Sequence, residues 1–486
     1  MRRRTVVLAA AGATTVLAAM AALVAPAAAA TPSFDFTRPD VVATGAEVPW
    51  GLTFLPDGSA LTAERMSARI LRLRPGAAPG TVATVPGVVP GGEGGLLGLA
   101  ASPTYAQDNY LYAYLTAAAD NRIVRFRLSS PQTVEPVLTG LAKASIHNGG
   151  RIAFGPDGML YAGVGDAGNT ANAQNQQSLN GKILRMRPDG SVPADNPFAG
   201  SRVYSLGHRN VQGLAWDAQG RLFAIEFGQN TWDEVNLIVA GGNYGWPTVE
   251  GTGTDPRFRN PIVQWSTAEA SPSGAAIVGD TLYVAALRGT RLWQVPLDGN
   301  GGAGTPTAQL TGSYGRLRTV EAGPDGWLWV TTSNRDGRGT PAATDDRVIR
   351  FPRTGVSPSP SSASPSSASP SPSSPSPSPS GSAACAVRYE VNQWNTGFTA
   401  SVTVTNAGPA IASWTLAWTF PGNQQIGNAW NATYTQSGPA VTVRNASWNG
   451  AVPTNGTVTF GFQATHSGTN AAPSDFRLNG VACMAS

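Results

Sequence analysis

Along most of the chain, apolar residues come in short runs closed by glycine turns, without the three- and four-residue spacing of a long amphipathic helix. The recurring unit is a turn followed by a short apolar strand. It is seen at Asp57-Gly58-Ser59-Ala60-Leu61, Asn109-Tyr110-Leu111-Tyr112, Asp157-Gly158-Met159-Leu160-Tyr161, Gly220-Arg221-Leu222-Phe223, Asp280-Thr281-Leu282-Tyr283 and Asp325-Gly326-Trp327-Leu328-Trp329. Successive turns lie 46 to 62 residues apart, room for four short strands and their loops. The pattern predicts an all-β chain whose larger part is a six-bladed β-propeller around a central channel; separate small β-domains are the alternative. Towards the end the alternation is stricter, in Ser401-Val402-Thr403-Val404-Thr405 and Val441-Thr442-Val443. There Trp414, Leu416, Trp418 and Phe420 fall on one face of a strand, which predicts a small β-sandwich with two indoles in its core.

Composition divides these two parts. From Ser357 to Ser382 the chain is almost wholly Ser, Pro and Ala, which cannot bury a core and reads as an extended tether. Residues 1–30 begin with Arg2, Arg3 and Arg4, continue as an apolar run and end in Ala28-Ala29-Ala30, the pattern of a secretory signal by either the general or the twin-arginine route. The expected domains are therefore 1–30, signal; 31–355, propeller; 356–383, Ser/Pro linker; and 384–486, sandwich. Removing the three signal arginines takes the formal net charge from +4 to +1, which gives no basis for binding nucleic acid or an anionic membrane. No later apolar run is long enough to span a bilayer, so the mature protein is expected outside the cell. Cys385 and Cys483, the two cysteines, are expected to pair in that setting, closing a loop worth roughly 4 to 5 kcal/mol in the chain-entropy picture.

Candidate chemistry centres on His147–Asp166, HNGGRIAFGPDGMLYAGVGD. Of the three histidines, His466 falls in a Ser/Thr/Gly-rich segment, which leaves His147 and His208. Imidazole is the natural base near neutral pH, and Asn148-Gly149-Gly150 lets a large group approach the backbone beside His147. A histidine merely satisfied in its turn is the competing reading. Ser205–Leu214 places a cation and an amide side by side at Arg209 and Asn210, and Glu226–Asn236 offers carboxylates and loop carbonyls, the hard oxygens that Ca²⁺ prefers. Arg288, Arg316 and Arg318 follow. With 31 arginines to 2 lysines any one of them could be compositional, but two alternating along one strand suit a multiply charged ligand.

Several further segments carry a resemblance. Pro49-Trp50-Gly51-Leu52, Leu55-Pro56-Asp57-Gly58, Glu93-Gly94-Gly95-Leu96-Leu97-Gly98, Asn180-Gly181-Lys182-Ile183-Leu184-Arg185, Gly207-His208-Arg209-Asn210 and Gly242-Asn243-Tyr244-Gly245-Trp246-Pro247 stand, with His147–Asp166, in an order that resembles the soluble quinoprotein sugar dehydrogenases of the glucose/sorbosone dehydrogenase family. These are six-bladed propellers holding pyrroloquinoline quinone (PQQ) and Ca²⁺. The resemblance, over most of residues 45–352, implies that His147 takes the proton of a sugar's anomeric hydroxyl while hydride leaves for the quinone. It implies that Asp166 orients the base and that Arg209 stabilises charge on the quinone oxygen. Asn210, Trp265, Thr267, Arg288, Arg316 and Arg318 would hold the cofactor, and the carbonyls of Gly228 and Gln229 the Ca²⁺. Glu93 would face the sugar. Departures cluster on the sugar side: Ile146 replaces an acidic residue, Glu93 and Ala171 replace glutamines and Arg288 replaces a lysine. They remove the ground for naming glucose and leave another aldose or a soluble oligosaccharide equally open.

The last hundred residues resemble the family 2 carbohydrate-binding modules end to end, both cysteines and His466–Pro473 included. Trp394, Trp430 and Trp448 sit among Asn, Gln, Ala, Thr and Gly, and exposed indoles of this kind call for a partner. The resemblance makes them a flat face for crystalline cellulose. The combined expectation is an exported, cellulose-targeted dehydrogenase that turns aldoses or oligosaccharides into lactones. It would pass electrons to an unidentified acceptor such as a copper oxygenase, a quinone or a cytochrome. A cofactor-free binding propeller and a Ca²⁺-dependent hydrolase of lactonase type remain as alternatives.

Overall fold

The computed structural model describes residues 33–354 and 385–485, apart from 395–396, 447–448, 455 and 469. The segments expected to be a signal, 1–30, and a linker, 356–383, lie outside the described residues, as do Trp448 and the side chains of Trp394 and Trp430. The chain divides into two compact units, with the boundary between Ser361 and Ser362. Among the described residues no helix is long and apolar enough to cross a membrane.

The first unit is a ring of six four-stranded antiparallel sheets, a propeller fold, spanning 49–84, 96–141, 152–206, 211–266, 272–309 and 317–351. Each predicted turn-and-strand unit forms the second strand of one sheet: Ala60–Glu64, Tyr110–Thr116, Leu160–Val164, Leu222–Glu226, Thr281–Ala286 and Leu328–Thr332. These six strands are nearly all buried on both faces, which is why they read as apolar runs and not as alternations.

What lets the sheets close so tightly is a glycine early in the inner strands. A Cβ on Gly51 would lie 2.6 Å from the Leu97 carbonyl oxygen, on Gly98 2.2 Å from that of Gly150, and on Gly213 2.4 Å from that of Ser273. Gly274 would meet the Thr319 Cα at 2.7 Å. In each case the backbone of one sheet rests directly on the next, an approach that no side chain permits. The last gap is bridged by the Thr319 hydroxyl, which donates to the Trp50 carbonyl at 2.6 Å. The sixth sheet is finished by the start of the unit: Asp40–Ala43 pairs with Val348–Phe351. Bonds from Asp35 N–H to the Pro352 carbonyl and from Thr354 N–H to the Ser33 carbonyl, both 2.8 Å, extend that clasp.

Among the described residues the second unit forms two five-stranded sheets. Its core holds Trp414, Leu416, Trp418 and Phe420 against Phe398, Phe460 and Phe462, so the alternation read from the sequence is the buried face. Trp418 stacks on Phe462 with ring centroids 5.7 Å apart. Cys385 and Cys483 form the disulfide, fastening the first strand of the unit to the chain just before its last.

Candidate active site

His147 sits in the turn between Glu135–Leu141 and Ile152–Phe154, with a left-handed φ of 55° that a non-glycine residue holds only when its surroundings fix it. They do so from both sides. Its backbone N–H donates to Glu93 Oε2 at 2.8 Å, and its carbonyl lies where a Cβ on Gly165 would sit 1.9 Å away. The side chain is bonded through Nδ1 to Asp166 Oδ1 at 2.7 Å. Asp166 is fully buried; its Oδ1 also takes the Gly168 N–H at 2.8 Å and its Oδ2 the indole N–H of Trp246 at 2.9 Å. Burial pushes the Asp166 carboxyl up, but the bond and charge of His147, with the Trp246 and Gly168 donors, outweigh it and hold the carboxyl below its ordinary range. An ionised Asp166 places the proton on Nδ1 and leaves the Nε2 lone pair for an incoming donor.

That imidazole lines a cavity of about 480 Å³ together with Glu93, Arg209, Gln229, Asp233, Arg288 and Arg316. Ile146, Phe227, Gly228, Thr267, Ser271, Leu287 and Arg338 complete the wall. A smaller cavity of about 180 Å³ shares Glu93, Phe227, Leu287, Arg316 and Arg338 with it and adds Arg65, Gln212, Arg318 and Asp336. Arg209 is held by Gln229 Oε1 at 2.9 Å and the Phe227 carbonyl at 3.2 Å. Burial draws its guanidinium below the ordinary value against the opposing pull of Asp166 and Glu93.

Arg316 and Arg318 share Asp336, at 2.8 and 3.3 Å, and burial pushes Arg318 down to about 9. Arg288 has no hydrogen bond or ion pair among the described residues. Four guanidiniums facing two carboxylates make the main cavity a seat for a compact polyanion.

The other predicted residues divide. Asn210 is fully buried behind the wall; its Oδ1 accepts the Gly149 N–H at 2.9 Å, which ties the His147 turn to the Arg209 loop, and its Nδ2 has no partner among the described residues. Thr267 faces the cavity. Trp265, expected in the lining, belongs instead to the apolar core: it stacks on Trp293 at 5.2 Å and packs with Phe223 and Leu282. Alternation along Val263–Ser266 turns its ring inward, with Trp265 the one buried residue of the four.

Gly228 and Gln229 lie in the loop after Leu222–Glu226. Among the described residues neither carbonyl accepts a hydrogen bond and no three His, Cys, Asp or Glu side chains gather in metal-holding geometry. A cation here would therefore rest on backbone oxygens, with Asp233 close by. Burial pushes Asp233 up to about 6, against the N–H groups of Gly228 and Ser271 that it accepts.

Sequence reasoning did not single out Arg338, Trp246, Asp336 or Arg65. Trp246 stood in a quoted motif without a role. Arg338 meets Glu93 at 2.9 Å across 245 residues of chain, and nothing local announces such a contact.

Residues 46–341 match the family described as Glucose / Sorbosone dehydrogenase, and 385–483 match Cellulose binding domain. The chain is similar to a PQQ-bound aldose sugar dehydrogenase of Streptomyces coelicolor, with 53% identity over 67% of this chain and 99% of that one and a TM-score of 0.64. It is 36% identical to quinoprotein glucose dehydrogenase B of Acinetobacter calcoaceticus over 48% of this chain and 56% of that protein. The last part is 48% identical to exoglucanase A of Cellulomonas fimi over 21% of this chain, which is 12% of the exoglucanase. The chain belongs to the glucose/sorbosone dehydrogenase family and carries a cellulose-binding domain behind its sugar dehydrogenase unit.

Proposed function

We propose that this protein is an exported, six-bladed, PQQ- and Ca²⁺-dependent dehydrogenase, held on cellulose by its second unit, that oxidises the anomeric carbon of aldoses or oligosaccharides to lactones. The observation that carries the reading is the His147–Asp166 pair, bonded at 2.7 Å and opening on a cavity lined by four arginines. A planar tricarboxylate suits that wall, and the unpartnered Arg288 is a donor left for it, while Asn210, behind the wall, serves the cofactor seat by bonding the His147 turn to the Arg209 loop. The free carbonyls of Gly228 and Gln229 are the hard-oxygen donors that Ca²⁺ takes. When bound, the quinone supplies the two-electron sink and the cation polarises it.

Within this reading, His147 Nε2 removes the hydroxyl proton of the sugar as the carbon gives up hydride, and Asp166 stabilises the imidazolium that forms. Arg209, anchored by Gln229 and Phe227, sets a fixed positive charge where negative charge develops. Arg288, Arg316 and Arg318 hold carboxylates. Glu93 accepts the backbone N–H of His147 on one oxygen and Arg338 on the other, so it joins the base to the rim and offers its remaining lone pairs to sugar hydroxyls. Trp394, Trp430 and Trp448 form the cellulose-binding face.

Purified protein is mixed with PQQ and Ca²⁺ and assayed for dye reduction against a panel of aldoses and cello-oligosaccharides, with His147→Ala alongside. The reading expects turnover that needs both additions and a loss of about 10² to 10⁴-fold in kcat in the variant, with cofactor absorbance retained. Absence of quinone uptake by the wild type sinks it.

A further inference from the structure

The loop that carries the two candidate cation ligands is shaped by one carboxylate oxygen. Glu250 Oε1 accepts the backbone N–H groups of Gln229, Asn230, Thr231 and Trp232 at 2.6, 3.0, 3.0 and 3.1 Å. In a planar trans peptide the N–H of one residue points opposite to the carbonyl of the residue before it. Four successive N–H groups gathered on Glu250 therefore send the carbonyls of Gly228, Gln229, Asn230 and Thr231 away from it. Thr267 takes the last two, through its hydroxyl to Asn230 at 3.3 Å and its N–H to Thr231 at 3.3 Å. The carbonyls of Gly228 and Gln229 are left.

The cavities agree with this division. Gly228 and Gln229 line the main cavity and Glu250 does not; Glu250 lines a small neighbouring one, with Glu226, Glu234, Tyr244 and Trp246, that Gly228 borders as well but Gln229 does not. The fit is close as well: a Cβ on Gly228 would sit 1.7 Å from the Trp232 carbonyl oxygen and 2.7 Å from Glu250 Oε1. The N–H of Gly228, which the Glu250 oxygen does not reach, is held instead by Asp233 Oδ1 at 2.9 Å.

We infer that Glu250, without touching the ion, is the positioning residue of the cation site: it gathers the amides of 229–232 on one side so that the carbonyls of Gly228 and Gln229 stand free on the other. The inference rests on the reading that those carbonyls hold Ca²⁺. Its negative charge on the far side of the loop also polarises the peptides toward the ion. A glutamine at 250 keeps the shape and one acceptor oxygen but removes the charge, and an alanine removes both.

The test is calorimetric Ca²⁺ titration of the full-length protein without quinone, for wild type, Glu250→Gln and Glu250→Ala, beside the melting temperature of each in chelator. The expected result is a Ca²⁺ Kd raised about 10- to 100-fold in Glu250→Ala, the range for residues that orient metal ligands, with Glu250→Gln between it and wild type. Melting in chelator should stay within a few degrees of wild type in Glu250→Gln, which separates ligand orientation from general destabilisation. If Glu250→Ala does not fold, the glutamine variant decides. Wild-type Ca²⁺ affinity in the folded variants overturns the role of Glu250 alone; a wild type that takes up no Ca²⁺ overturns the cation site itself, and this role with it.

Discussion

Replacing Asp166 with asparagine tests the site at its most constrained point. Every group around this carboxylate is a donor: the His147 Nδ1–H and the Gly168 N–H on one oxygen, the Trp246 indole N–H on the other. An asparagine has one acceptor oxygen, so its NH₂ must face either Trp246 or His147. Facing His147, it forces the imidazole proton onto Nε2, the atom that must receive the sugar's proton. Facing Trp246, it leaves two donors opposed in a buried site. Either way a charge-assisted hydrogen bond worth about 1.5 to 3 kcal/mol is lost, a factor of roughly 10 to 150 in kcat/KM, falling mainly on kcat because Asp166 does not line the cavity. Steady-state dye reduction at saturating acceptor, on protein whose PQQ content is measured by absorbance, reads this directly. A variant within threefold of wild type at full cofactor occupancy would refute the claim that this pair sets the base.

Three further outcomes follow from features already described. Because its partners hold the Asp166 carboxyl below its unfolded value near 3.8, the stability that the ionised group contributes is present above about pH 4. It is lost as pH falls through the lower folded value, so the gap in urea midpoint between wild type and Asp166→Asn should be open at pH 5 and close below pH 4. Removing the disulfide by Cys385→Ser with Cys483→Ser should lower the stability of the second unit by roughly 4 to 5 kcal/mol, seen as a shift of its calorimetric transition with that of the propeller unchanged. The combined change of Trp394, Trp430 and Trp448 to alanine should release the protein from microcrystalline cellulose without reducing dye reduction on soluble sugar; full retention on cellulose would dismiss the flat face.

The parts legible in the sequence were those written in local pattern. In each of the six sheets a tight turn leads into a second strand buried on nearly its whole length, so the turn spacing carried the ring, and Trp414 to Phe420 alternated as a half-buried strand does. His147 showed itself through the glycines that its turn needs, and Arg209 through its place beside Asn210. What stayed hidden depends on chain segments far apart in sequence. Trp246 reaches Asp166 across 80 residues and Arg338 reaches Glu93 across 245. Glu250 acts on a loop some twenty residues earlier. Trp265 misled because a motif position says where a residue falls in the chain, whereas the pleat of its strand decides which way the ring turns.

The clasp that closes the ring has a mechanical consequence. Val348–Phe351, the last strand before the tether begins, is not at the rim of its sheet: Asp40–Ala43 lies on one side and Leu328–Thr332 on the other. A pull transmitted from a cellulose fibre would thus load two ladders of hydrogen bonds at once, together with the Ser33–Thr354 bonds at the exit. Removing residues 33–43 would leave one ladder to bear that load, and forced unfolding should then begin at Val348–Phe351.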